Sequence, residues 1–121
     1  MEKQIALSEL RESAGRAASF LRLLANENRL AILCALIVGE HSVGDLAAEL
    51  GTSQPNVSQH LAKLRALELV ATRRDGTTIL YALRDRDAAS IIAILHRRYC
   101  GGKMPAKFKP SKWKPVGRKA A

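Results

Sequence analysis

Two cysteines carry the most reactive side chains of this 121-residue chain. Cys100 is the more ionisable of the two, because nearby basic residues favour its nucleophilic thiolate form. These basic residues are Arg97, Arg98 and Lys103. The negative end of the helix predicted to finish there opposes this effect. Cys34 shares a predicted helical face with leucines and an isoleucine, so we expect it to be largely buried. Redox chemistry at these thiols is one interpretation, and packing as small hydrophobic residues is the other.

The sequence offers few residues for metal binding or for enzymatic catalysis. Asp85, Asp87 and His96 could hold a hard or borderline cation weakly, but a tetrahedral zinc site needs more nitrogen and sulfur ligands. His96 is more typical of a packed or interfacial histidine, and His41 and His60 have no ligand partners nearby in sequence. The chain also lacks a glycine-rich phosphate loop and a recognisable Ser, His and Asp set. We therefore predict no enzyme activity and no cofactor, and we assign no metal ligands.

Two short helices joined by a tight turn are predicted in the middle of the chain. Ser42 is placed to cap the first helix, Asp45 to return the hydrogen bond, and Gly51 to end it. Ser53 can cap the second helix, and Pro55 falls in its first turn, where a missing N–H has no consequence. This pattern predicts a helix-turn-helix, the unit that many proteins insert into the DNA major groove.

The second of these helices has an apolar face and a polar face. Val57, Leu61 and Leu64 follow at spacings of four and three, so they share a buried side. The other side carries groups that could read base edges or phosphates. The predicted DNA contacts on this helix are Ser53, Gln54, Asn56, Ser58, Gln59, His60 and Lys63. The alternative is a solvated polar face on an ordinary core helix.

A β-hairpin is predicted directly after the second helix, with strands over residues 69–72 and 79–83. Asp75-Gly76 lies between them and is a strong signal for a type I′ turn. A basic hairpin tip suits phosphate or minor-groove contacts. The hairpin residues predicted to contact DNA are Arg73, Arg74 and Thr77. A hairpin in this position makes a winged helix-turn-helix, whereas a basic hairpin that arose by chance is the alternative.

The first and last helices supply a predicted dimer interface. Leucines and alanines recur at spacings of three and four from Leu7 to Leu24, as in helices that pack lengthwise on another helix. The last helix, from about residue 87 to 99, has an apolar surface too broad to leave in water. The predicted fold is mainly α with a small β-hairpin (α+β), forming a homodimer through these two helices. Such a dimer would match a palindromic operator in double-stranded DNA; the alternative is that both helices only close their own chain's core.

Positive charge is concentrated at the end of the chain. The formal net charge is +9, yet residues 101–121 hold seven Lys or Arg and no acid, which leaves 13 basic and 11 acidic groups in residues 1–100. We predict a DNA-binding and dimerisation domain over 1–100 and a basic, Pro/Lys-rich flexible tail over 101–121. The tail could add sequence-independent phosphate contacts or serve only solubility.

No segment is typical of a membrane or secreted protein. The longest apolar run, residues 30–38, is nine residues long, whereas a spanning helix needs about 20. The first ten residues are mixed in charge and lack a signal-peptide core. We therefore expect the protein in the cytoplasm, where thiols are normally reduced.

Across residues 20–100 the chain resembles the ArsR/SmtB family of winged-helix repressors. The matching segments are LANENRL at 24–30, SVGDL at 42–46 and SQPNVSQHL at 53–61, together with the hairpin and Tyr81. The resemblance implies a homodimer that occupies its operator and leaves it when an inducer binds. Two family metal sites are not matched: the first lacks its Cys-x-Cys pair, and the second has only Asp85-Arg86-Asp87 and His96-Arg97-Arg98-Tyr99 in place of its histidine pairs.

Cys34 and Cys100 resemble the thiol-sensing branch of that family, whose repressors respond to persulfides or oxidants. In the family fold, the helix that bears Cys34 and the end of the helix that bears Cys100 lie close together. We expect Cys100 to react first and Cys34 to resolve the adduct, giving a tetrasulfide-type bridge that the extra sulfur atoms lengthen. The bridge would shift the two groove-reading helices and release the DNA. A metal-switched repressor and a ligand-independent DNA binder dominated by the tail are the alternatives.

Overall fold

Five helices and one antiparallel hairpin make up the fold in the structure, a computed structural model that describes residues 6–99. In chain order the elements are α1 (Leu7–Leu24), α2 (Glu27–Val38), α3 (Val43–Leu50), α4 (Gln54–Ala66), β1 (Val70–Asp75), β2 (Thr78–Leu83) and α5 (Arg86–Tyr99). This is the mainly helical winged arrangement that the sequence predicts. Cys100, Lys103 and the segment 101–121 lie outside the described residues, so the division at residue 100 stays a prediction.

The core lies between α2, the helix pair α3–α4, the base of the hairpin and α5. Its largest fully buried side chains are Ile32, Leu33, Ile37, Leu46, Val57, Leu61, Leu64, Val70, Leu83 and Ile92. No polar or charged residue of the described chain is buried among them. The helix pair α3–α4 therefore packs on a continuous apolar core, which holds the pair rigidly relative to the rest of the chain.

Capping residues set the bounds of α3 and α4. Ser42 Oγ accepts a hydrogen bond from the Asp45 backbone N–H at 3.1 Å, and Ser53 Oγ accepts one from the Asn56 backbone N–H at 3.2 Å. Gly51 ends α3 in the left-handed conformation with φ of 65°, which glycine adopts without steric penalty. These three predictions are confirmed. The reciprocal bond expected from the Asp45 carboxylate is not among the hydrogen bonds that the structure describes.

The hairpin turn lies one residue later than predicted. Asp75 pairs with Thr78 at the end of the two strands, so Gly76 and Thr77 are the turn residues. Gly76 has φ of 66°, and Thr77 does not have a positive φ. A type I′ turn needs positive φ at both central positions, whereas type II′ needs it only at the first. The predicted type I′ turn at Asp75-Gly76 is therefore wrong; strand pairing extends through Asp75 and places glycine first in a turn of the II′ kind.

α1 contributes little to the core of its own chain. Leu24 is its only buried residue, while Leu7 is 82% exposed and Leu21 is 54% exposed. At the other end, α5 begins at Arg86, where Asp85 Oδ1 accepts a hydrogen bond from the Ala88 N–H at 2.8 Å. α5 buries one side against α2 and leaves Ile94 exposed. Within residues 6–99, no helix has the length and apolar character needed to cross a bilayer.

Candidate DNA-binding surface and thiol site

The polar side of α4 faces solvent as the sequence predicts. Val57, Leu61 and Leu64 are fully buried, so they fix the rotation of the helix about its axis. The residues that this rotation leaves exposed are Ser53, Gln54, Ser58, Gln59 and Lys63. Asn56 and His60 are half-buried at the edges of the same surface. Asn56, Gln59 and Lys63 thus share the side of α4 opposite its buried residues, with Ser58 and His60 flanking them. Ser53 and Gln54 lie at the N-terminal end of the helix, and the contacts of all seven residues with DNA stay predictions.

The Asn56 side chain is held in place by the turn before α4. Its Nδ2 donates a hydrogen bond to Thr52 Oγ1 at 2.9 Å. Thr52 is also held to α3, because its backbone N–H donates to the Ala47 carbonyl at 3.0 Å. Asn56 therefore presents its carbonyl oxygen and remaining N–H in a preset orientation. Sequence reasoning did not single out Thr52, although a hydroxyl four residues before an asparagine is a detectable signal.

His60 is an uncharged member of this surface near neutral pH. Partial burial lowers the pKa of its imidazole below the ordinary value of 6.5, and the positive charges of Arg29 and Lys63 lower it further. A neutral imidazole has one donor and one acceptor nitrogen. His60 is therefore suited to a hydrogen bond with a base edge or a sugar rather than to a charged contact with phosphate.

The hairpin formed by β1 and β2, which we call the wing, carries two arginines that differ in their surroundings. Arg73 Nε and a terminal guanidinium nitrogen each donate to a Glu40 carboxylate oxygen at 2.7 Å. The hydrogen bond lowers the pKa of Glu40 and raises that of Arg73. Arg74 is exposed and makes no ion pair with any residue from 6 to 99. Thr77 is exposed at the turn, and Arg73 is exposed as well, so the two arginines differ in ion pairing rather than in accessibility.

A further pairing at the wing was not expected from the sequence. His41 and Tyr81 exchange two backbone hydrogen bonds of 3.1 and 2.8 Å, which adds a single bridge to the outer side of β2. The His41 ring lies with Nδ1 2.9 Å from the Gly39 carbonyl and Nε2 3.5 Å from a Glu49 carboxylate oxygen. His41 thus has partners in the fold even though none adjoins it in sequence.

Cys34 lies on α2 at the edge of the core. It is partly exposed and packs against the buried cluster, so it lies at the boundary of the core rather than within it. The reason is the rotation of α2, whose buried face centres on Leu33, Leu36 and Ile37 and leaves Cys34 to one side. α2 packs against α5, which ends at Tyr99. Cys100 follows Tyr99 and lies outside the described residues.

The candidate metal ligands do not meet within one chain. Asp85 is used to cap α5, Asp87 is in its first turn, and His96 follows nine residues after Asp87. Nine residues of helix separate two positions by about 14 Å along the axis. Nδ1 of His96 is shielded from solvent and has no hydrogen-bond partner in the described chain. No group of three or more His, Cys, Asp or Glu side chains assembles a metal site in that same part of the chain.

The comparisons with known proteins decide the family. Residues 26–72 match the family described as bacterial regulatory protein, arsR family. The chain is 44% identical to the transcriptional activator HlyU of Vibrio cholerae over 94 residues. The aligned region covers 78% of this chain and 87% of HlyU. This protein belongs to the arsR family of bacterial regulatory proteins. The resemblance stated from its sequence segments is thereby confirmed, and its relatives are transcriptional regulators rather than enzymes.

Solved structures of relatives have the same fold as this arsR-family regulator. Reduced HlyU from Vibrio cholerae has a TM-score of 0.73 at 44% identity, covering 78% of this chain and 99% of that one. The transcriptional repressor BigR from Xylella fastidiosa also has a TM-score of 0.73, at 34% identity, covering 84% and 100%. The homodimeric winged helix-turn-helix domain Mb0332 from Mycobacterium bovis has a TM-score of 0.60 at 31% identity, covering 79% and 87%. The regulator is therefore a winged helix-turn-helix DNA-binding protein.

Proposed function

We propose that this regulator is a cytoplasmic repressor that binds a palindromic operator as a homodimer and releases it when Cys34 and Cys100 become linked. The polar face of α4 supports a role in base readout, because its apolar side is fully buried and its other side is accessible. On the wing, the exposure of Arg74 and Thr77 supports backbone contacts. The proposed α4 contacts are Ser53, Gln54, Asn56, Ser58, Gln59, His60 and Lys63.

The proposed dimer is supported by the apolar residues that α1 and α5 leave in water. Leu7, Leu10 and Leu21 lie along α1 at helical spacings and are all exposed, and α5 exposes Ile94. A second copy of the chain would cover them. The relative Mb0332 is described as homodimeric. Two α4 helices related by a two-fold axis would enter successive major grooves about 34 Å apart.

The proposed switch rests on the position of Cys34, which is the single observation that carries it. Cys34 is partly exposed on α2, the helix that packs against α5. A thiol must be accessible to its oxidant in order to react. A bond from Cys34 to Cys100 would join α2, a core helix, to the end of α5, a helix of the proposed dimer interface. HlyU has been solved in a form described as reduced, and BigR is described as a repressor.

A persulfide can supply both the extra sulfur and the oxidising equivalents for the proposed bridge. A persulfide RSSH transfers its outer sulfur to the Cys100 thiolate and leaves as a thiol. A second equivalent converts the Cys34 thiolate to a persulfide in the same way. A third equivalent oxidises the two persulfides to a tetrasulfide bridge and is itself reduced to thiol and hydrogen sulfide. With peroxide, Cys100 instead becomes a sulfenic acid, and Cys34 displaces water to form a disulfide. The bridge with extra sulfur spans a wider gap by roughly 2 Å for each added bond.

The decisive experiment treats the reduced full-length protein with glutathione persulfide or with peroxide. Intact mass is measured beside the binding of a labelled duplex that the wild-type protein selects from a random-sequence pool. With the persulfide we expect loss of DNA binding, a mass gain for two bridging sulfurs and the loss of both thiols. With peroxide the bridge adds no sulfur to the mass. Cys34→Ser and Cys100→Ser are each expected to bind DNA and to ignore the donor. Unchanged binding with both thiols modified would contradict the proposal and leave the cysteines as packing residues.

A further inference from the structure

We propose that the ion pair between Glu40 and Arg73 orients the wing on DNA, so that Arg73 is a positioning residue and Arg74 makes the phosphate contact. The inference rests on the proposed DNA-binding role of the wing and assigns separate tasks to its two arginines. Three features of the hairpin support it: its weak anchoring to the core, the distance from Arg73 to its turn, and the availability of its two arginine charges.

The outer half of the hairpin is not anchored by the core. Val70 and Leu83, which pair at its base, are buried, whereas Arg74 and Ile79, which pair near its tip, are exposed. A two-stranded hairpin alone is marginally stable in water. The orientation of its outer half therefore depends on whatever polar contact holds it to the rest of the chain.

The Glu40–Arg73 pair is placed to provide that contact. Glu40 precedes His41, whose backbone bridges Tyr81 on the outer side of β2. Arg73 lies on β1, on the other side of β2, where it pairs with Leu80. The guanidinium therefore joins β1 to the connection between α2 and α3, to which the His41–Tyr81 bridge already joins β2. Both of its hydrogen bonds measure 2.7 Å, the bidentate geometry that fixes direction as well as distance.

Small rotations at this point have a large effect at the tip. Gly76 lies three residues after Arg73, a projection of about 10 Å along a strand. A swing of about 10° about the pair would move the turn by roughly 2 Å over such a length. That is enough to break a direct hydrogen bond to a phosphate, whose heavy atoms must lie within about 3 Å.

The charges of the two arginines are not equally available. Successive strand residues point to opposite faces, so Arg73 and Arg74 project in different directions. Arg73 commits two of its five N–H donors to Glu40, and that carboxylate competes with a DNA phosphate for its charge. Arg74 has no such competitor in the described part of the chain. Arg74 is therefore the wing arginine that releases a counterion when DNA binds.

The test compares the salt dependence of DNA binding for Glu40→Ala, Arg73→Ala and Arg74→Ala in the full-length protein. The probe is a duplex selected from a random-sequence pool by the wild-type protein. Arg74→Ala is expected to weaken binding and to reduce the slope of log K against log salt by about one per chain. Glu40→Ala and Arg73→Ala are each expected to weaken binding by about threefold to fivefold, as for loss of a partly exposed pair, and neither should reduce that slope as Arg74→Ala does. Combining them should weaken binding no further.

A charge swap distinguishes positioning from a merely local structural role. Arg73→Glu alone places a carboxylate opposite Glu40, whereas the double variant E40R/R73E restores an ion pair with reversed polarity. Recovery of most of the lost affinity in the double variant is expected. An Arg73→Ala slope that falls as far as that of Arg74→Ala, wild-type binding by Glu40→Ala, or no recovery in the swap would overturn the inference. Failure of the proposed surface is distinguishable, because Arg74→Ala and Gln59→Ala would then both bind as wild type.

Discussion

Arg29 Nε donates a hydrogen bond of 2.6 Å to the carbonyl of Leu23, which lies in the last turn of α1. Its backbone N–H donates to Asn26 Oδ1 at 3.0 Å, the cap that begins α2. One residue thus satisfies a carbonyl that ends the first helix and takes part in starting the second. This bond ties the end of α1 to α2, beside the packing of Leu24 in the core.

Replacement of Arg29 by alanine is therefore expected to destabilise the protein. A hydrogen bond from a charged donor to a partly buried carbonyl contributes about 1.5–3 kcal/mol, so we expect a loss at the lower end of that range. Urea unfolding at fixed protein concentration measures it. Arg22→Ala is the control. Within residues 6–99 the Arg22 side chain bonds to exposed Ser19 on the same helix, so its loss should change stability by less than about 0.5 kcal/mol. Equal effects of the two variants would contradict the role of Arg29.

The bond from Asn56 to Thr52 predicts that DNA affinity depends on a residue outside the exposed face. Thr52→Val keeps the shape of the side chain but removes the acceptor, so Asn56 loses its fixed orientation. Loss of one neutral hydrogen bond of about 1 kcal/mol corresponds to roughly fivefold weaker binding if that orientation is needed. Thr52→Ser retains the hydroxyl and should bind as wild type. Fluorescence anisotropy with the selected duplex measures both, and equally weakened variants would contradict the prediction.

Dimerisation through α1 is tested by two leucines of similar exposure. Leu21 is 54% exposed and Leu67 is 57% exposed in the single chain, but only Leu21 lies on the helix that the proposed dimer buries. A charged group buried without a partner is strongly unfavourable. Leu21→Asp is therefore expected to give monomers at micromolar concentration, while Leu67→Asp stays dimeric. Light scattering after size-exclusion chromatography gives the mass, and a dimeric Leu21→Asp protein would rule out this interface.

The low pKa of His60 predicts a specific dependence on pH. Because the folded pKa lies below the ordinary 6.5, the folded chain binds fewer protons at this site than the unfolded chain does. The stability associated with neutral His60 is therefore fully present above pH 6.5 and is lost as pH falls through the folded pKa. NMR titration of the imidazole should give a midpoint below 6.5. Lys63→Gln should raise that midpoint, and an unchanged midpoint would contradict the contribution of the Lys63 charge.

Local sequence signals were sufficient for the helices that form the DNA-binding unit. The caps at Ser42 and Ser53 and the left-handed Gly51 depend on residues within four positions of one another, so they can be found by spacing alone. The hairpin was also found, but its turn was displaced by one residue. A dipeptide rule does not include the cross-strand pairing that carries β1 through Asp75.

Contacts between distant parts of the chain were decided only by the tertiary structure. Glu40 and Arg73 are 33 residues apart, and nothing in either neighbourhood marks them as partners. The partial exposure of Cys34 likewise depends on how α2 rotates against its neighbours rather than on its own apolar spacing. The sequence by itself determined the family, the capped helix pair and the apolar faces, because each depends on residues that are close together along the chain. The tertiary structure decided which wing arginine is engaged and how far Cys34 is exposed, because those depend on packing between elements.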